Sequence, residues 1–173
     1  MPKKDIISIG ALDTKAISHV VLQSDLDGVY LIDANITSDP LTREPRGSEL
    51  EYAINTKIMK TEENIFSVLV SFKVSAIQKK RSKNPIMAIE AKFLLVYSFD
   101  KANKLLPEQI EHFTKIEPIK SAWPYWTEFV QNMVARMGFP TLTIPVLKFK
   151  FEKVKKISKS KAIKSEILKE KVS

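Results

Sequence analysis

Between Phe66 and Ala76 every second residue is apolar: Phe66, Val68, Val70, Phe72, Val74 and Ala76 alternate against Ser67, Ser71, Lys73 and Ser75. A period of two sends one set to each face of a β-strand. The chain must therefore build a sheet with one greasy side, and that side must be covered by another layer.

Three further segments read the same way. Val29 to Ile36 alternates with Tyr30, Ile32, Ala34 and Ile36 on one face. Val20-Val21-Leu22 reads as the start of the same edge, interrupted by a turn or bulge at Asp25-Leu26-Asp27-Gly28. Residues Ser38 to Ser48 contain Pro40, Pro45 and Gly47 and read as a loop. Leu50 to Lys60 is a strand with Leu50, Tyr52, Ile54 and Ile58 on one face. Lys79 to Pro85 is a basic turn, and Ile86 to Phe99 the fourth strand. Short links between the later strands predict an antiparallel meander, because parallel neighbours need a long crossover. Leu94 and Val96 make the far end of the fourth strand apolar on both sides. That end is a subunit contact, a site covered by a loop, or part of a binding surface.

The second half reads as helix. Pro107 to about Glu117 forms a segment that Pro118 breaks, and a longer helix opens at Pro124, a residue type suited to a first helical position. Trp126, Phe129, Val130, Met133, Val134 and Met137 give it an amphipathic stripe, Gly138 ends it, and Pro140 follows. Phe139 to Phe149 is apolar but carries two prolines, so it is extended. The expected class is α+β: a four-stranded antiparallel sheet, a long helix, an extended loop and a C-terminal helix. We divide the chain into a domain of residues 1–149 and a basic helix or tail of residues 150–173.

That tail holds nine lysines and three glutamates, a net of +6 out of +8, leaving +2 for residues 1–149. It is either a solvated end or an attractor for acidic proteins, membranes or nucleic acid. Cysteine is absent, which excludes disulfides and thiolate metal sites and fits a cytoplasmic location. Met1-Pro2-Lys3-Lys4-Asp5 lacks a secretory pattern, and no apolar run approaches the roughly 20 residues of a membrane span. The only histidines, His19 and His112, are far apart in sequence, so no metal is expected. The four glycines Gly10, Gly28, Gly47 and Gly138 are too scattered for a phosphate loop, so no nucleotide cofactor is expected. The pairs Asp25/Asp27 and Glu62/Glu63 read as turn residues. Nothing argues for an enzyme, and no catalytic residue is assigned.

Ala122-Trp123-Pro124-Tyr125-Trp126-Thr127-Glu128-Phe129-Val130, followed by Ala135-Arg136-Met137-Gly138-Phe139-Pro140-Thr141-Leu142, resembles the SecB chaperone family. Family members open this helix with Pro-Tyr and continue into an Arg-x-Gly-Phe-Pro turn and a Leu-rich prolyl loop. Pro124, Tyr125, Glu128, Arg136, Gly138, Phe139, Pro140, Leu142, Pro145 and Phe149 carry the match. Thr127 stands where the family usually has Arg, Thr141 replaces a second Pro, and Lys148 replaces an Asn. Typical export members are acidic and dock the SecA translocase motor through the sheet, whereas this body is near neutral. The Trp-Pro-Tyr-Trp form looks more like a divergent SecB-like branch, some of whose members serve toxin–antitoxin systems.

The resemblance implies a non-enzymatic, ATP-independent chaperone that assembles as a dimer of dimers and holds unfolded preproteins or a dedicated antitoxin client in apolar grooves. It assigns client binding to Trp123, Tyr125, Trp126, Phe139, Leu142, Ile144, Val146, Leu147 and Phe149. A rival reading makes the chain a nucleic-acid-binding module acting through its tail. It needs exposed aromatics beside basic residues, and Phe66, Phe72 and Phe93 lie on the core stripe instead. A third makes it a dedicated escort of one partner.

Overall fold

The computed structural model describes residues 7–9, 12–39, 48–78, 84–102 and 104–151. The expected tail helix lies outside them beyond residue 151, as do most of the 38–48 loop and of the basic turn at 79–85. The elements are β1 (Ile7–Ile9), α1 (Thr14–Gln23), β2 (Ser24–Ser38), β3 (Glu49–Thr61), β4 (Ile65–Ile77), β5 (Met87–Phe99), α2 (Pro107–Thr114), α3 (Glu117–Arg136) and β6 (Phe149–Phe151). The class is α+β, as the periodicity requires.

The main sheet runs in the order β2-β5-β4-β3 and is antiparallel throughout. β3, β4 and β5 form the expected meander, and β2 joins beyond β5. Register shifts at Leu26/Gly28 and Leu31/Asp33 keep the long β2 strand in step with its neighbour, the first at the interruption read from Asp25 to Gly28. The period-two stripe of β4 is buried from Phe66 to Ala76, facing the same side as Met87, Ile89, Phe93, Leu95 and Tyr97 of β5. The outer face carries the ion pairs Lys92–Asp33 (2.7 Å) and Lys73–Glu90. The Lys92 ammonium lowers the Asp33 carboxyl below its ordinary range. On the same face Leu94 lies between Tyr30 and Leu69, with Val96 nearby. Leu94 and Val96 are half-buried there.

α3 covers the greasy face with Ala122, Trp126, Val130 and Val134, which recur every fourth residue and are all buried. The Trp126 ring stacks on Phe72 at 5.3 Å between centroids. A second aromatic cluster closes the other end, where Phe66 stacks on Tyr97 at 4.9 Å and Phe113 of α2 meets both edge-on. Pairs of this kind add about 0.5–1.5 kcal/mol beyond the area they bury.

Three local expectations need correction. Val20-Val21-Leu22 ends α1 rather than opening a strand, and His19 lies on that helix, exposed. The Asp13 carboxylate accepts from the backbone N–H groups of Lys15 (2.9 Å) and Ala16 (3.2 Å), starting the helix. Ala16, Ile17 and Val20 then bury one face of it at helical spacing. Pro118 does not break a helix: it sits in the first turn of α3, where its missing N–H costs nothing. Pro124 is not a helix start but lies inside α3. It deprives the Lys120 carbonyl of its ordinary helical donor. The helix survives because the buried stripe on either side is anchored to the sheet.

Two measurements check this core. Trp126→Ala should cost about 3–5 kcal/mol of unfolding free energy; a loss under about 1 kcal/mol would contradict the placement of the indole. Burial holds the Tyr97 phenol well above its ordinary range, a nearby Ser121 hydroxyl easing it in part. The resulting stability is complete below the usual tyrosine pKa of about 10 and drains as pH rises from there, because the unfolded chain ionises first. Tyr97→Phe should therefore show a shallower alkaline decline in urea titrations, and equal slopes would refute the assignment.

Candidate functional site

A 20-residue helix lying on a sheet buries one stripe and leaves the flanking stripes to whatever the chain does next. On α3 the next stripe is Lys120, Trp123, Pro124, Thr127, Glu128 and Gln131, again at helical spacing. Trp123 belongs to both stripes. One edge of its indole meets Phe72 of the core at 5.8 Å, and the side chain also lines the outer stripe. The Thr127 hydroxyl donates to the Trp123 carbonyl at 2.9 Å, next to the proline.

α3 then stops in a way that sends the chain back. Gly138 takes φ 73°, a left-handed conformation that suits glycine. Its N–H donates to the Ala135 carbonyl at 3.0 Å, and the Phe139 N–H to Val134 at 3.2 Å. These two bonds make a Schellman cap, with Phe139 buried as its hydrophobic contact. From Pro140 the chain runs without helix or strand to β6, past the outer stripe of α3. Together the two walls enclose an open trough of about 590 Å³, whose second wall is Ile144, Pro145, Val146, Leu147 and Phe149.

The loop wall alternates as a strand does. From Pro145 to Phe149, the odd residues are half-buried while Val146 and Lys148 are exposed. Val146 is 77% exposed, an unusual state for a large aliphatic side chain and one that puts it on the lip of the trough. The trough has little net charge: its lining carries one lysine, Lys120, and one glutamate, Glu128, and Lys120 also pairs along the helix with Glu117 at 2.8 Å. At its far end Phe149, like Leu12, packs against the small buried cluster of Ile17 and Ile116, which ties α1 to the trough.

Of the nine candidate residues, the structure brings Trp123, Ile144, Val146, Leu147 and Phe149 together around this trough. Phe139 and Leu142 line a separate, smaller hollow of about 170 Å³ against Leu50, Met87 and Val134. Trp126 is 1% exposed and belongs to the core, while Tyr125 is half-exposed on α3 away from the trough lining. The stripe of Pro124, Thr127, Glu128 and Gln131 was missed. Its signal is present, since each follows another member of the stripe at three- or four-residue spacing, but a helix started at Pro124 hides it.

Elsewhere, His19 and His112 face one polar hollow between α1 and α2, beside Asp13 and Glu108. The Asp13 N–H donates to His112 Nδ1 at 3.4 Å. Among the described residues no group of three His, Cys, Asp or Glu is placed to hold a metal, and no helix is long and apolar enough to cross a membrane.

The two tryptophans offer a direct check. Acrylamide should quench Trp123 and spare Trp126, so Trp123→Phe should remove most of the quenchable emission. Retention of that emission in the variant would contradict the arrangement.

Residues 28–154 match the family described as SecB, preprotein translocase subunit SecB. No curated protein sequence matches. Among solved structures, the SecB-like chaperone Rv1957 of Mycobacterium tuberculosis, in complex with a ChAD peptide from the Rv1956 HigA1 antitoxin, superposes with a TM-score of 0.64. The alignment has 13% identity and covers 78% of this chain and 98% of that one, so it bears on the fold alone. A Streptococcus agalactiae protein of unknown function aligns at 11% identity over 71% of this chain and 97% of its own, but its TM-score of 0.39 carries no argument. With the match spanning most of its length, and with the expected sheet, helix and returning loop in place, the chain belongs to the SecB family.

Proposed function

We propose that the chain is an ATP-independent holding chaperone that takes extended apolar segments of unfolded polypeptides into the trough between α3 and the 140–149 loop. The observation that carries this is Val146, 77% exposed on the lip of a trough lined by Trp123, Leu147 and Phe149. A soluble protein normally hides such side chains. Each apolar client side chain buried there gains about 1.5–3 kcal/mol before the cost of ordering the client. Single engagements are therefore weak, and several troughs on one assembly would add avidity.

Assembly has its own support. α3 covers β4 and β5 but leaves bare the same face of β2, where Leu26, Leu31 and Ile36 are exposed. β2 is also an edge strand, 15 residues long. A long apolar edge of this kind invites a second copy, in keeping with the tetramer expected of the family. The outer face of the sheet pairs its charges, Lys92 with Asp33 and Lys73 with Glu90, instead of presenting an acidic field. That favours a cytoplasmic role independent of SecA. Phe66, Phe72 and Phe93 are buried, so they form no stacking platform for nucleic acid.

A dedicated antitoxin client is the second reading. It is favoured by the Trp-Pro-Tyr-Trp run and by the Mycobacterium tuberculosis neighbour, whose structure holds an antitoxin peptide.

Dilution of a chemically unfolded protein should show suppressed aggregation at near-stoichiometric chaperone, unaffected by ATP, with a native mass above that of one chain. Val146→Asp should weaken suppression several-fold while changing stability by no more than about 0.5 kcal/mol. A monomer that leaves aggregation unchanged would end the chaperone reading.

A further inference from the structure

β6 has a partner, and the partner is the chain's own N-terminal segment. β1 lies parallel to it, with Ile7 opposite Phe149, Ser8 opposite Lys150 and Ile9 opposite Phe151. Phe149 is also the last residue of the trough lining. Immediately before it, the main chain from Thr141 to Lys148 belongs to no helix or strand, and among the described residues it makes no backbone–backbone bond. One continuous run thus passes from a stretch beside the trough that has no backbone partner among the described residues into a stretch that β1 already occupies.

The β1–β6 ladder is three residues long and two strands wide. Such a ladder has no independent stability in water. Leu12 and Asp13, just C-terminal to β1, hold it in register. Leu12 packs with Ile17 and Ile116, and Asp13 fixes the start of α1 by capping it and by donating its N–H to His112. Tethering gives the segment a high effective concentration at β6, so a ladder of a few weak bonds still forms. It also leaves the ladder among the first parts of the structure to open.

We propose that β1 is a built-in competitor of the client. It occupies main-chain groups that an extended polypeptide would reach on running past Phe149, and so it limits how much of a long client is held. This rests on the trough being the client site. Short segments that fit between Trp123 and Leu147 do not meet β1; long ones must displace it. The device favours release of weakly held chains and restricts tight holding to clients long and apolar enough to open the ladder.

The test uses the full chain. In a variant carrying Ser8→Pro and Ile9→Pro, adjacent prolines remove N–H donors from both edges of β1. Binding would be measured for two fluorescein-labelled synthetic peptides alternating leucine and tyrosine with serine, one short enough to lie within the trough and one about twice as long. The long peptide should bind the variant about fivefold to thirtyfold more tightly than wild type, the equivalent of one or two net hydrogen bonds. The short peptide should bind both alike. A synthetic peptide covering Met1 to Asp13, added in excess, should lower the variant's affinity for the long peptide again. Equal or weaker binding of the long peptide by the variant overturns the competitor. If neither protein binds either peptide, the client trough itself falls, and the competitor with it.

Discussion

The contact between Trp126 and Phe72 decides where everything else in this molecule goes. It presses α3 onto β4 and β5, with Ala122, Val130 and Val134 completing the buried stripe. Once that stripe is down, helical geometry leaves Trp123, Pro124 and Thr127 turned to the side. The Gly138 cap then returns the chain along that side, and a trough results. The exposure of apolar surface is therefore a product of the core's own packing, not an addition to it. The same placement leaves β2 uncovered, so the two surfaces most suited to binding both follow from one stacked ring pair.

Strands were legible in the sequence where one face is buried and the other wet. β4 has that asymmetry along its whole length, and its period of two could be read without ambiguity. β2 was legible only in part because neither of its faces is buried and the shift between Leu31 and Asp33 resets its alternation. The helices were harder for a specific reason: a proline is read as a boundary. Pro118 and Pro124 occur within one helix, the first where its missing N–H is harmless and the second where tertiary packing overrides local preference. α1 was lost because Val20-Val21-Leu22 is a β-branched run, although Asp13 with Ala16, Ile17 and Val20 carries the cap and spacing of a helix. The loop half of the trough could be read directly, since an apolar segment with two prolines cannot bury itself. The helix half required the correct start of α3. The pairing of β1 with β6 joins the described ends of the chain across a span that no local pattern records.

A chain that keeps Val146 and a long apolar edge in water must avoid sticking to itself indiscriminately. The prolines do part of this. Pro140 and Pro145 interrupt the donors of the returning segment, which limits how long a ladder any visiting strand can form on it. Lys148 and Lys120 border the same segment, one exposed and the other already paired with Glu117. The result is a surface adhesive over a few residues at a time, suited to reversible capture.

That reversibility bears on how one site could serve either many clients or one. As the proposed client site, the trough would select weakly by charge, because its lining carries one lysine, Lys120, and one glutamate, Glu128. In that role it would select by spacing, because the half-buried residues Pro145, Leu147 and Phe149 repeat every second position on a segment stiffened by proline. A client whose own apolar residues repeat at that interval engages all three positions at once; one with irregular spacing engages fewer. Each apolar side chain left out forfeits up to about 1.5–3 kcal/mol. Two such positions are enough to separate a transient visitor from a resident partner by several orders of magnitude in affinity. Under the proposed function, general holding and dedicated service are in this sense one mechanism, divided by the pattern of the client rather than by a difference in the site.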